Sequence, residues 1–598
     1  MVRRRRESRE SAKDRKAISE SQSDSVRQPL SSSWFDSPKA AILALLLLGF
    51  VAHWRVLGAG FVWDDYLIYE NLYVRSLSGI WKIWTNLAVQ PESDVRYWPL
   101  FYSTFWLDYV ISGIHPVFSH GVNLLIHLAN ILLVWHVLKR LAFPGALLAA
   151  AIFAAHPVHS ESVAWVIERK GLLSMLFFLL AFRAHLQFVN TKDVKTLGVA
   201  VLMLALSLLS KPVAVVFPVV VVLWMYWKGI VFSKRNLLFT VPYFALSAVS
   251  GLLNVLSSRL YDPVSFGFTP AERLLIVGRA FWFYVSKLIA PYSLAMIYER
   301  WSVDTGNFLQ WLFPISAVLL FVLLWWARSR IGKEPLIAFS LFFVILSPVL
   351  GFVDYSHMAY SFVANRYQYL ASVPLIALFS AGILRWARAR IDLHRSGFSV
   401  VLGFILIILC LLSWQQDATF KSMETLFRHN IKVNPNAAAA HDSLGLCLLQ
   451  RGEPMQAQKH FQRALELEPH MLEAIVNLGL AFAHQDKADQ AIEQYEKALA
   501  IDPDNAPALT NLGNIYARLG RYDESLRWFN RLVEIGKASP QILNSLAASY
   551  AYMGRFEEAV ETVQKAIDQA HQQGDVQMAI GLERILQLYR SGQTVPRQ

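Results

Sequence analysis

Cysteine is nearly absent from this 598-residue chain, which holds Cys410 and Cys447 alone. One sits in an apolar run and the other on a later helix, so they provide neither a disulfide framework nor a thiolate metal site. Charge is scarce as well: Asp, Glu, Lys and Arg make up 17% of residues against 55% hydrophobic ones. The formal charge of +12 comes without a groove-tracking basic stripe. Basic residues collect instead in Arg3-Arg4-Arg5-Arg6 and in short gaps between apolar runs, a distribution that excludes nucleic acid as a partner and marks cytoplasmic loops. No small-x-small cleavage motif follows the first apolar run, which is therefore expected to stay as an anchor. Residues 1–36 hold few apolar groups and read as a disordered basic cytoplasmic tail.

Long apolar runs are what the chain has in abundance. The mean hydropathy of +0.35 conceals a split near Trp414. Before it, apolar runs alternate with Arg/Lys-rich gaps; after it the chain is polar, Ala-rich and helical in pattern. The expected organisation is all-α: a polytopic membrane domain over 37–416, with a loop at 58–116, and a separate domain over 417–598. At about 20 residues per crossing and with the basic gaps kept inside, about eleven spans are expected. They fall near 38–57, 117–138, 144–158, 171–190, 195–210, 212–228, 236–257, 308–327, 335–352, 367–385 and 396–414. Residues 272–290 are interrupted by Arg273, Arg279 and Lys287 and read as an interfacial helix. An odd number of crossings puts the N-terminus in the cytoplasm and the C-terminal domain outside it.

The C-terminal part is periodic. Pro435, Pro469 and Pro503 recur 34 residues apart. Each period repeats small and aromatic positions, as in Leu444-Gly445, Ala457, Phe461, Ala464 and then Leu478-Gly479, Ala491, Tyr495, Ala498. This is the tetratricopeptide repeat, in which Gly and Ala let two antiparallel helices approach and an aromatic ring fills the gap. A third period and a weaker fourth follow; residues 418–434 read as a half-repeat and 576–592 as a closing helix. Such arrays bind extended polypeptides or partner proteins on a concave face.

The threading gathers unusual polar segments on one outer face: Trp63-Asp64-Asp65, His156-Pro157-Val158-His159-Ser160-Glu161, Glu168-Arg169-Lys170, Lys211-Pro212 and Asn365-Arg366-Tyr367. Carboxylates, imidazoles and cations over apolar helices suit an amphiphilic, anionic substrate. These segments, with Pro99-Leu100 to Asn123 and Glu424-Thr425-Leu426-Phe427, resemble the transmembrane-and-tetratricopeptide-repeat (TMTC-like) family, particularly its bacterial members. The resemblance runs in order from about 40 to 590. It implies a GT-C type glycosyltransferase, related to protein O-mannosyltransferases, that moves a sugar from a polyprenyl phosphate to an acceptor outside the cytoplasm. The implied setting is a bacterial inner membrane. Three positions depart from the pattern: Trp98, Gly171 and Asn365 stand where relatives often carry basic or acidic residues.

The implied chemistry needs a base for the incoming oxygen and cations for the departing phosphate. Adjacent side chains in extended chain point to opposite faces, so one carboxylate of the pair serves as base. The resemblance points to Asp64, with Asp65 orienting the loop or the sugar. Arg366, Lys211, Arg169 and Lys170 are the candidate phosphate ligands, Arg366 first because its planar fork suits phosphate oxygens. His156, His159, Glu161 and Tyr367 are expected to position substrate. No metal site is expected, a divalent ion being the less favoured use of His156 and His159, whose third ligand the spacing does not provide. Expected partners are the polyprenyl-phosphate donor, a polypeptide acceptor on the repeats, and membrane lipid. Two alternatives stay open: transfer to a glycan or lipid, and a non-catalytic scaffold for envelope proteins.

Overall fold

The computed structural model describes residues 37–85, 97–261, 265–390, 395–573 and 575–595, and the described residues form helices, turns and loops without strands. The basic segment 1–36 lies outside them, as does 86–96 of the expected 58–116 loop. Each of the eleven expected stretches falls on an apolar helix. Six, beginning at Pro38, Pro116, Val166, Lys234, Phe308 and Val400, are long and apolar enough to cross a bilayer. The other five, Ala146–Ala155, Val194–Ser210, Pro212–Trp227, Glu334–Val349 and Ser372–Ala387, are shorter.

Packing within this domain is set by small residues. Helix Pro38–His53 buries Ala41, Leu45, Gly49 and Ala52 along one stripe and exposes Leu43, Leu47 and Phe50 on the other. At Gly49 an added Cβ would lie 2.6 Å from Ile131 Cδ1, so a larger residue would have to push side-chain ends of Pro116–Arg140 aside at this close crossing. Helix Phe308–Ile331 buries none of its most apolar stretch, and Val318, Leu323 and Trp326 face outward. Lipid is the solvent that fits such a surface. Pro270–Ile289, where an interfacial helix is expected, starts at a Thr269/Glu272 capping box and buries Ile276, Ala280, Phe281 and Tyr284. Its cations fold over rings, Arg279 over Trp301 and Lys287 over Tyr292.

The repeats follow as antiparallel helix pairs from Ala438–Gln450 to Phe556–Gln573, closed by Val576–Arg590. The period has a direct packing cause: a Cβ at Gly445, Gly479 or Gly513 would lie 2.5, 2.6 or 2.5 Å from Phe461, Tyr495 or Phe529. Gly479→Ala is accordingly expected to destabilise the array by about 1–3 kcal/mol, the usual range for overpacking. Thermal unfolding of the full chain measures it, and a midpoint unchanged from wild type would mean that the ring moves aside freely.

The array is fastened to the membrane domain. Asp417 at the end of the last apolar helix accepts from His53 Nδ1 at 3.0 Å, both side chains fully buried. Helix Met423–Val433 stands where the half-repeat is expected, with a Ser422/Thr425 capping box. Its Asn430 accepts from Ile297 N–H at 2.8 Å and donates back to the Ile297 carbonyl at 3.1 Å; Asn434 donates to the same carbonyl. One apolar core continues from Val62 and Trp165 through Phe420 and Phe427 to Leu444.

Candidate active site

The two acids of the first loop have different jobs in the structure. Asp65 is fully buried, with Oδ2 accepting from Val62 N–H at 2.9 Å and Oδ1 from Ile167 N–H at 2.8 Å. It therefore pins the loop onto the segment between Ser160–Ala164 and Arg169–Thr191. Asp64 is half-buried, caps no backbone N–H of the helix Asp65–Glu70 that it precedes, and lies within electrostatic reach of Lys170 and Tyr360.

Trp63, just before the pair, holds a left-handed backbone with φ 46°. For so bulky a residue this conformation costs on the order of 1–3 kcal/mol and persists only when its surroundings over-determine it. They do: its ring stacks on Trp165 at 5.9 Å, meets Phe427 at 5.6 Å and Tyr360 at 6.0 Å, and its N–H donates to Met423 Sδ at 2.9 Å. Trp165 in turn donates to the Val62 carbonyl at 3.2 Å.

Burial pushes the Asp65 carboxyl up from the ordinary 3.8 to about 7, against the pull of the two N–H groups. The folded pKa thus lies above the unfolded one. The stability tied to this proton is complete below about pH 4 and is lost as pH rises through about 7. The thermal midpoint should fall between pH 5 and pH 8, and Asp65→Asn should flatten that fall. An equal slope in the variant would assign the pH dependence elsewhere.

Behind this wall the structure gathers residues from three distant parts of the chain. Glu168, 1% exposed, accepts from Lys211 Nζ at 2.9 Å, with Lys170 Nζ at 3.5 Å and Arg366 Nε at 3.6 Å. Arg366 also donates to Glu161 Oε1 at 2.5 Å and lies over the Tyr367 and Trp165 rings. Three cations thus surround two carboxylates, with Asp64 as a third acid in electrostatic reach of Lys170.

All three unusual positions contribute to this cluster. Lys170 sits over the Trp98 ring at 4.8 Å. Gly171 leaves room for the Glu168–Lys211 pair, since a Cβ there would lie 3.2 Å from Glu168 Oε2. Asn365 accepts from the Tyr298 hydroxyl at 2.8 Å and donates to the Ala295 carbonyl at 3.1 Å.

Other expected site residues are placed differently. Arg169, expected as a phosphate ligand, is wholly buried and its guanidinium is spent on Asp108 at 2.8 Å, Asn123 at 2.9 Å, Thr104 and the Ser119 carbonyl. It joins Pro99–Ser112 to Pro116–Arg140 instead of facing Lys211. The reason is helical: adjacent residues at a helix start point about 100° apart, so Lys170 and Arg169 diverge. His156 and His159 are likewise engaged by protein groups. His156 Nε2 meets the Leu288 carbonyl at 3.0 Å, while His159 bonds the Phe153 carbonyl at 2.9 Å and Ser372 Oγ at 3.1 Å. Both rings tie helices together and are occupied by protein. Among the described residues no group of three His, Cys, Asp or Glu side chains has metal-binding geometry.

Sequence reasoning missed Glu168 as the hub, although an acid directly before two cations at a helix start was a visible signal. It also missed Trp63 and Trp165, which no local pattern distinguishes from an interfacial aromatic belt.

Comparison with known proteins follows the same division. A tetratricopeptide-repeat family model matches residues 435–504, 470–538 and 504–570. Protein O-mannosyl-transferase F38B6.6 of Caenorhabditis elegans is 24% identical over 443 residues, covering 71% of this chain and 62% of that protein. Protein O-mannosyl-transferase TMTC1 of Homo sapiens is 25% identical over 494 residues, covering 72% and 55%. Protein O-mannosyl-transferase TMTC4 of Mus musculus is 25% identical over 498 residues, covering 70% and 66%. The chain thus spans roughly three-fifths of the length of such relatives. Among solved structures, the crystal structure of MamA is 22% identical with a TM-score of 0.25, over 27% of this chain and 94% of that one. A thermophilic TPR protein of Thermus thermophilus is 23% identical with a TM-score of 0.25, over 30% and 93%.

Proposed function

We propose that this chain, which is TMTC-like, is a membrane glycosyltransferase moving a hexose from a polyprenyl phosphate to Ser or Thr hydroxyls of polypeptides outside the cytoplasm. The observation that carries the reading is the buried cluster of Arg366, Lys170 and Lys211 around Glu161 and Glu168, with Asp64 beside Lys170. The acceptor oxygen attacks the anomeric carbon and its proton passes to Asp64. The bond from that carbon to the phosphate oxygen breaks, and polyprenyl phosphate departs with both electrons. Charge grows on the leaving phosphate, so fixed cations favour the transition state over the bound donor. Tyr367, under Arg366 and 5.7 Å from Lys211 Nζ, lines the same place.

In this reading the eleven apolar helices put the cluster at the extracytoplasmic face and the repeats outside, where they hold the acceptor. Mass spectrometry of extracytoplasmic polypeptides from cells with and without the chain tests it. Hexose on Ser or Thr should disappear with the chain; an unchanged pattern alongside a lost glycan or glycolipid would identify a different acceptor. Ending the chain after Val433 keeps the Asn430 and Phe427 contacts while removing the repeats. Transfer to polypeptides should fall about tenfold or more through lost effective concentration, while transfer to a short synthetic acceptor stays near wild type. Equal losses would argue against acceptor capture.

A further inference from the structure

The end of the membrane domain remote from the candidate active site holds a second pocket. Helix Arg169–Thr191 starts beside Glu168 and ends 23 residues on, about 33 Å away at helical rise. Arg140, Gln187, Asn190, Thr191 and Lys228 surround a space of about 520 Å³ there. Among the described residues its two charged lining groups are cations and no carboxylate lines it. Lys228 Nζ also reaches the Leu141 carbonyl at 3.2 Å.

Leu141 and Trp224 line this pocket and also a cleft, apolar but for Glu334, that runs on between the helices. Val137, Phe178, Phe182, Val220, Ile345 and Val373 form its walls. It extends along the helix from Glu334 to Ile345, about 16 Å at helical rise. Glu334, at the mouth, is its one charged lining residue among those described; the neighbouring Lys333 lies over the Tyr226 ring at 4.7 Å.

The junction of pocket and cleft carries an unmet requirement. Trp224 is 7% exposed and its indole N–H has no partner among the described residues. The nearby polar ring of His185 stands edge-on at 5.5 Å with Nδ1 on the Tyr243 hydroxyl. An indole nitrogen is a donor only, and burying it unpaired costs about 1–3 kcal/mol. A cationic polar pocket, a donor in need of an oxygen, and an apolar cleft follow one another in that order.

We infer that this is a binding site for an anionic glycerophospholipid of the leaflet opposite the candidate active site. The headgroup phosphate lies between Arg140 and Lys228, a glycerol-ester or phosphate oxygen accepts from Trp224, and one acyl chain occupies the cleft. Basic pockets between helices at the cytoplasmic side suit such headgroups. The inference is independent of the sugar-transfer reading, whose donor phosphate belongs at the other end of the same helix.

Native mass spectrometry of the full chain in detergent, with phosphatidylglycerol or phosphatidylcholine of matched acyl chains, tests it. Wild type should retain phosphatidylglycerol at least about tenfold better, as two cations near an anionic headgroup imply. Arg140→Gln with Lys228→Gln should remove that preference. Trp224→Phe should weaken retention of both lipids about fivefold, the loss of one hydrogen bond. Arg140 and Lys228 are both exposed, so the double variant stays informative if Trp224→Phe does not fold. Equal retention of the two lipids by wild type, or an undiminished preference in the double variant, would overturn the proposal. Displacement of phosphatidylglycerol by a polyprenyl phosphate would overturn it too, by assigning the cleft to the donor chain.

Discussion

Asp64→Asn is expected to lower sugar transfer by about 10²–10⁴-fold, the range for removal of a positioned general base, while leaving the chain folded and inserted. The amide keeps the size and shape of the half-buried carboxylate and removes its charge, so the variant reads the loss of a proton acceptor. Asp65→Asn is the contrasting control. Its carboxylate accepts two backbone N–H groups across the loop, so the amide, with one acceptor oxygen, should loosen the loop and lower stability as well as turnover. Purified chain assayed with a polyprenyl-phosphate hexose separates the two variants. Unchanged turnover in Asp64→Asn would remove it as the base.

Arg366→Met is expected to be the most damaging single change in the cluster. It leaves Glu161 and Glu168 buried without their shared guanidinium, and breaking a buried ion pair on one side costs about 3–5 kcal/mol. Adding Glu161→Gln removes one of the stranded charges and should recover part of that stability, a coupling that a double-mutant cycle reads directly. Transfer should remain down by about 10²-fold or more in the single and the double variant alike, since a group stabilising the departing phosphate is missing from both. If transfer returned together with stability, Arg366 would be a structural residue and the phosphate role would pass to Lys170 and Lys211.

Much of the architecture was written in local pattern. Pro435, Pro469 and Pro503 set the repeat, and the glycine–aromatic contact behind it is a collision between residues sixteen apart, so period alone finds it. The apolar stretches were equally legible, because hydropathy and helix length obey the same solvent. Side-chain direction was not. Glu168, Arg169 and Lys170 are consecutive, yet the first and third enter the cluster while the second closes a separate buried network with Asp108 and Asn123. His156 and His159 were expected to position substrate; the partners they have in the fold, the Leu288 and Phe153 carbonyls and Ser372, are backbone or distant groups that no motif announces. The strained Trp63 likewise depends on Phe427, some 360 positions on, for its ring contact.

The pair of hydrogen bonds between Asn430 and the Ile297 backbone, with Trp63 wedged against Phe427, makes the mount of the solenoid stiff where a tether would have swung. A stiff mount acts as a ruler. Under the proposed function, a polypeptide gripped along the inner surface of the array would present to Asp64 whichever hydroxyl lies a set number of residues from the grip, and neighbours one or two places away would fall short or overshoot. Modified sites in a substrate would then be spaced from a shared anchor stretch by a common offset, and local sequence around each hydroxyl would matter less than its distance along the chain.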